Sequence, residues 1–166
     1  MSDDQIEIDP DTDDTNEEVS CLLVPLLNTR LLLPASAVAE MAAMKPLIPV
    51  DRMPSWMLGF YDWREVRVPV ISYEVINGVS GAPLHPQGRM AVINNTGVDP
   101  RLPFIAIPTQ GIPRMSRVSI HDISENPNVV RRSFDKMRVR IGMEEFVIPD
   151  IAAIEQAYLN TGRLDG

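Results

Sequence analysis

Residues 59–71 read GFYDWREVRVPVI, and the fold is decided here. Two short β-forming runs, residues 59–63 and 66–70, flank Arg64-Glu65. In the second run Val66, Val68 and Val70 fall on one face and Arg67 on the other, the period of two of a half-buried strand. Two such runs joined by two residues predict a hairpin. The same region gathers the scarce aromatics. Trp56, Phe60, Tyr61, Trp63 and Arg64 lie within nine residues and include both tryptophans of a chain that is 5% aromatic. Trp, Tyr and Arg dominate interface energetics, but large aromatics also fill cores. Trp56 and Phe60 stay open between these roles. Trp63, beside Arg64 at a turn, is expected to face a partner, and the candidate contact set is Tyr61, Asp62, Trp63, Arg64 and Glu65.

Outward from the hairpin, composition favours β structure. Fifteen prolines and nine glycines in 166 residues interrupt the chain too often for long helices and suit short strands and turns. The net charge of −8 is unevenly spread. Residues 1–18 hold nine acids and no base, which leaves fifteen bases against fourteen acids in the body. The acidic arm, with only Ile6 and Ile8 able to pack, is expected to be disordered. A near-neutral body argues against nucleic acid and membrane surfaces as partners, since both need concentrated basic surface. Cys21 is the only cysteine, and no apolar run approaches the ~18 residues of a membrane span, so a cytoplasmic protein is expected.

The remaining segments fill out a mainly β chain. Residues 19–27 and 30–33 form a second hairpin around Asn28-Thr29, with Pro25 pointing to an edge strand. Residues 35–44 read as a short helix with Val38, Met41 and Ala42 on one face. The stretch GVSGAPLHPQG, residues 78–88, marks a linker between two lobes, residues 19–77 and 89–166. In the second lobe, strands are expected at 89–95, 102–108 and 114–120. A hairpin follows at 137–148, with Met137, Val139 and Ile141 inward, and the chain closes on a helix over 150–159 capped by Asp150. Residues 70–76 and 148–154 both end a strand and enter an apolar helical turn, which points to two related small β-barrels.

Catalytic and metal chemistry are mostly missing. His85 and His121 are far apart in sequence, and no ligand cluster forms with the lone cysteine. Asp9, Asp11 and Asp13 open like a calcium loop, but Asp14 and Ser20 stand where glycine and glutamate are needed. The segment Gly78-Val79-Ser80-Gly81-Ala82 imitates a nucleophile elbow but runs into Pro83, so a small hydrolase using Ser80 and His85 is the weaker alternative, with a ligand-binding barrel beside it. The basic run Arg131, Arg132, Lys136, Arg138 and Arg140 lacks interleaved aromatics apart from Phe134 and fits a protein contact better than an RNA site. No cofactor is implied.

The hairpin stretch resembles that of CheW-like domains, which usually reads G-x-x-N-L-R-G and then an alternating strand ending in P-V-I-D-L. Gly59, Arg64, Pro69, Val70 and Ile71 match at the right spacing. Leu31 to Pro34, Val38 to Met41 and a proline-rich segment (Pro46, Pro49, Pro54) are similar to the family's upstream elements, and residues 143–158 to its terminal strand and helix. Asp62 and Trp63 replace the usual Asn-Leu, Glu65 replaces glycine, Ser72 replaces aspartate, and Pro108-Thr109 falls where Val-Asp is usual. Among family variants the chain looks most like the divergent ChpC type, accessory adaptors of chemosensory systems controlling type IV pili (twitching). The resemblance implies two related five-stranded β-barrel lobes with short helices. It also implies a non-catalytic adaptor that couples the cytoplasmic tip of chemoreceptors to a CheA-type histidine kinase.

Overall fold

The computed structural model describes residues 17–162. It is mainly β, with eleven strands in two sheets and two short helices. The first sheet has the order β8-β1-β2-β11-β10-β9, built from β1 (Glu18–Pro25), β2 (Arg30–Pro34), β8 (Arg114–Ser119), β9 (Ile123–Glu125), β10 (Asp135–Ile141) and β11 (Glu144–Pro149). The second has the order β3-β6-β7-β5-β4, built from β3 (Val38–Ala43), β4 (Met57–Trp63), β5 (Val66–Ile71), β6 (Arg89–Asn94) and β7 (Phe104–Pro108). Helix α1 (Tyr73–Ile76) follows β5, and α2 (Ile151–Leu159) follows β11.

The lobes are not the successive halves of the chain. β1 and β2 sit in the first sheet with strands from beyond residue 113, while β3, β4 and β5 pair with β6 and β7. Each half supplies strands to both sheets, which corrects a sequential division into 19–77 and 89–166. The halves are nevertheless topological copies. Replacing β3, β6, β7, β5 and β4 by β8, β1, β2, β11 and β10 turns one strand order into the other, and β9 is the sixth strand added to the first sheet. The similarity of residues 70–76 and 148–154 belongs to this relation. Ser72 Oγ accepts from Val75 N at 3.1 Å and Asp150 Oδ1 from Ala153 N at 3.0 Å, so each strand enters its helix through a side-chain cap.

Strands with both faces covered explain the continuous apolar runs. In β1, Leu22 and Val24 pack in the core shared by the sheets while Cys21 and Leu23 face the first sheet's own interior. In β6, Ile93 joins the shared core and Met90 and Val92 the second sheet's interior. Ile154 and Tyr158 of α2 are fully buried in the shared core. Pro25 is the last residue of β1, a central strand, and its carbonyl accepts from Gln110 N at 2.9 Å, so it marks no edge. Residues 35–44 form no α-helix: a 3-10 turn at Ala35–Ala37 leads into β3, where antiparallel pairing to β6 outweighs the helix propensity of alanine and methionine. Met137, expected inward, is 37% exposed: it shares a face with the buried Val139 but lies near the start of β10, next to the register shift between Asp135 and Met137. Glu18 opens β1 opposite Ser119, and the Glu17 carbonyl just before it accepts from Ile120 N at 3.2 Å, so the end of the arm expected to be disordered is instead tied to the first sheet. The acidic residues 3–14, including the calcium-like run, lie outside the described residues.

A polar network ties the first half to the second. The Tyr73 hydroxyl donates to Asp135 Oδ1 at 2.5 Å, with the Phe134 carbonyl at 2.9 Å. Asn77 Nδ2 donates to the same carboxylate oxygen at 3.0 Å, and Asn77 Oδ1 accepts from Phe134 N at 2.7 Å. The other oxygen accepts from Arg132 N at 2.8 Å and Arg138 Nε at 3.0 Å. Burial alone would raise the Asp135 carboxyl, but bonds from Tyr73, Arg132 and Arg138 outweigh it and hold the group below its ordinary range. Burial, with the bond to Asp135, pushes the Tyr73 hydroxyl far above the usual phenol range. A carboxyl depressed in the folded state stabilises fully above its unfolded pKa of ~3.9, and that contribution fades as pH falls through the lower folded value. Asp135→Asn is therefore expected to cost about 3 kcal/mol at pH 7. In denaturant titrations its deficit against the natural chain should shrink as the pH is lowered below about 4.

Candidate partner-binding site

The β4–β5 hairpin forms as its sequence predicts, with Trp63 opposite Val66, Asp62 opposite Arg67 and Tyr61 opposite Val68. Gly59 has φ 148, and a Cβ there would lie 2.6 Å from the Ile48 carbonyl, which bonds the backbone of Phe60. Only glycine lets the segment around Ile48 lie along β4. At the tip both linking residues are left-handed, Arg64 at φ 49 and Glu65 at φ 65, the sign a two-residue type I′ turn requires. Neither is a glycine, so the tip carries backbone strain.

β3 and β4 are opposite edges of the second sheet, and side chains bring them together. Trp63 Nε1 donates to Glu40 Oε1 at 2.7 Å, and the Tyr61 hydroxyl donates to the Ala43 carbonyl at 2.6 Å. Lys45 Nζ donates to the Asp62 carbonyl at 2.7 Å and lies 4.5 Å from the Tyr61 ring centre. These contacts curl the sheet toward a barrel, with Tyr61 and half of Trp63 among the side chains that fill it. The Trp63 ring meets Phe104 edge-on at 4.9 Å.

The five candidate residues thus divide. Tyr61 is 4% exposed and is a seam residue of the interior, which corrects its placement on the contact surface. Trp63 is half-buried and shared between interior and tip. Asp62, Arg64 and Glu65 are exposed together. The Arg64 side chain is 72% exposed; its guanidinium lies 5.1 Å from the Trp63 ring centre and 3.4 Å from Glu40 Oε1. Arg67 Nε pairs with Asp62 Oδ1 at 3.4 Å. One carboxylate, Glu40, therefore positions both the indole and the guanidinium. Of the open aromatics, Phe60 is core and Trp56 packs half-buried against the shared core.

Glu40 also lines an apolar groove of about 410 Å³ between β3 and β8, with Leu22, Val38, Met41, Ile112 and Met115. Ile112 is 62% and Met115 66% exposed. Sequence reading missed this surface because it comes from two strands far apart in the chain. The one available signal was Glu40, the only charge within β3. The basic run does not form one patch: Arg138 is drawn in to Asp135 and Arg131 Nη1 donates to the Lys136 carbonyl at 2.8 Å. His85 Nδ1 accepts from Gln87 N at 3.0 Å, and among the described residues no hydrogen bond joins it to Ser80.

The sequence model of the CheW-like domain family matches residues 20–155. The scaffolding protein TtCheW from Thermoanaerobacter tengcongensis has a similar crystal structure, with a TM-score of 0.67 at 13% identity, covering 80% of this chain and 88% of that one. No curated protein matches the chain by sequence.

Two stability measurements test the tip. Glu65→Gly should relieve a left-handed side chain and raise stability by about 0.5–1 kcal/mol, a rise of about 1–4 °C in melting temperature. Trp63→Ala should cost about 2 kcal/mol, less than a fully buried tryptophan but well above a surface residue. Arg64→Ala, losing only an exposed ion pair, should melt within about 0.5 kcal/mol of the natural chain.

Proposed function

The chain belongs to the CheW-like domain family, and on that premise we propose that it is a non-catalytic adaptor coupling the cytoplasmic tip of chemoreceptors to a CheA-type histidine kinase. The observation that carries the reading is the tip itself: an exposed Arg64 held by Glu40 over Trp63, bordering an apolar groove. A guanidinium already stacked and paired loses little freedom when it docks, and an aromatic-arginine pair is the composition of an interface anchor. The exposed part of the predicted set, Asp62, Trp63, Arg64 and Glu65, is our partner-binding surface.

The proposed mechanism is differential binding. An adaptor that contacts receptor and kinase together shifts the kinase between states only by as much as its contacts differ between them. The likeness to the ChpC type supports assignment to a cytoplasmic system that controls type IV pili. The hydrolase alternative loses ground because His85 Nδ1 accepts from Gln87 N, which leaves the proton of the neutral ring on Nε2 rather than a free base there, and among the described residues no hydrogen bond joins His85 to Ser80. Among the described residues no helix is long and apolar enough to cross a membrane.

Binding titrations against a CheA-type kinase and a receptor tip fragment decide the matter. Arg64→Ala, folded by melting temperature, should weaken binding to at least one of them by about thirtyfold, equivalent to ~2 kcal/mol. Unchanged affinity for both in a folded Arg64→Ala chain would remove the tip as the site.

A further inference from the structure

The groove between β3 and β8 borders the tip, and the chain itself supplies a segment that suits it. We propose that residues 5–14 of the acidic arm dock in this groove and along the outer edge of β8, as an intramolecular occupant that competes with partners. The competition rests on the adaptor reading; the docking does not.

The point of departure supports this. The arm joins the described chain at Glu17, whose carbonyl accepts from Ile120 N at 3.2 Å and whose carboxylate lies 2.8 Å from His121 Nε2, just past the end of β8. It therefore starts beside the strand it must cover. β8 is an edge strand, paired only to β1, so its outer backbone groups have no strand partner among the described residues. Its side chains are basic and apolar together. Arg114 is exposed with no ion pair among the described residues, Arg117 is 67% exposed and already pairs with Glu18 at 3.2 Å, and Arg89 lines the groove. Ile112 and Met115 are exposed between them.

The arm is the complement. Its Gln5-Ile6-Glu7-Ile8-Asp9 alternates apolar and polar residues, a sequence pattern that would put Ile6 and Ile8 on one side and Glu7 and Asp9 on the other were the arm to dock as a strand. Asp11, Asp13 and Asp14 follow, and no base interrupts them. Ile8 lies nine positions before Glu17, an extended reach of about 30 Å. The Met115 position lies four residues along β8 from Ser119, about 13 Å. Ile6 and Ile8 can thus reach Ile112 and Met115 while the aspartates pass Arg114 and Arg117. Glu40, the acid of the groove, is paired on the side of Arg64 and Trp63. Tethering sets the local concentration of the arm near the millimolar range, enough for a weak, salt-screened contact.

Disulfide trapping in the full chain tests the docking without any partner. Ile8→Cys is combined either with Met115→Cys or with Met143→Cys, a position 96% exposed at the β10–β11 tip, while Cys21 stays buried. Under mild oxidation at low salt, the 8–115 pair should close at least about tenfold faster than the 8–143 pair. Changing Asp9, Asp11, Asp13 and Asp14 to asparagine, or adding 1 M salt, should bring the two rates within about threefold of each other. Equal rates in the natural arm at low salt would overturn the docking and leave the adaptor reading standing. The asparagine-substituted full chain should also bind the kinase or the receptor fragment several-fold more tightly than the natural chain, because a competing occupant lowers the fraction of free grooves. Unchanged affinity for a partner that does bind would overturn the competition. Failure of both partners to bind, with trapping intact, would instead count against the adaptor reading.

Discussion

Neither half of this chain can complete its own sheet, and the rest of the structure depends on that constraint. β2 finds its parallel neighbour in β11, at Leu31 opposite Val147, and β5 finds its own in β7, at Val70 opposite Ala106. β3 leaves the first sheet to pair with β6, and β8 leaves the second to pair with β1. Unpaired backbone groups in a buried strand are costly, so removing either half would strand the central strands of both lobes. The shared core follows from the same exchange, since residues of β1, β2, β5, β6 and β7 reach it from both sheets. The Asp135 network, with Tyr73 and Asn77 from one half and Arg132 and Arg138 from the other, fixes the joint with directional bonds that apolar packing alone does not provide.

The exchange also explains the location of the proposed binding surface. Because β3 and β8 are the exchanged strands, each becomes an edge of the sheet it enters, and the groove forms between these two edges. β3 then closes against β4 through Glu40, Tyr61 and Lys45. The proposed partner-facing residues are therefore held by the contacts that close the lobe. A site on two edges and a two-residue turn is positioned by the scaffold rather than by a mobile loop, the arrangement that keeps the ordering cost of binding low.

What the sequence disclosed was what is local. Both β hairpins of the first half, the helical turn after Ile71 and the Asp150 cap could be read because the residues that specify them are neighbours in the chain. The strand at residues 38–43 could not, since alanine and methionine favour a helix and only β6, about fifty residues on, makes the segment extended. The interleaving of the halves was hidden for the same reason. Tyr61 is a different case. Alternation along β4 places Tyr61 and Trp63 on the same face, opposite Val68 and Val66, and Asp62 on the other. The period that predicted the strand also predicted that Tyr61 points inward and carries Trp63 part of the way with it, and grouping residues by interface chemistry alone overlooked that geometry.

The departures from the family's usual hairpin motif can be weighed in the same terms. Ser72, in place of aspartate, still accepts from Val75 N, as Asp150 does for Ala153 in the other half, so the cap survives the exchange. Trp63, in place of leucine, fills the barrel as leucine would and adds an indole N–H that engages Glu40. Glu65, in place of glycine, is the costly change, because it puts a side chain at φ 65 where glycine would sit without strain. Two of these departures preserve or extend the packing and one works against it. Strain kept at an exposed position that the fold does not need fits the proposal that the Glu65 side chain meets a partner. Beside Arg64, Glu65 gives the tip adjacent charges of opposite sign, and in the proposed site a partner surface that fits them must be complementary to both.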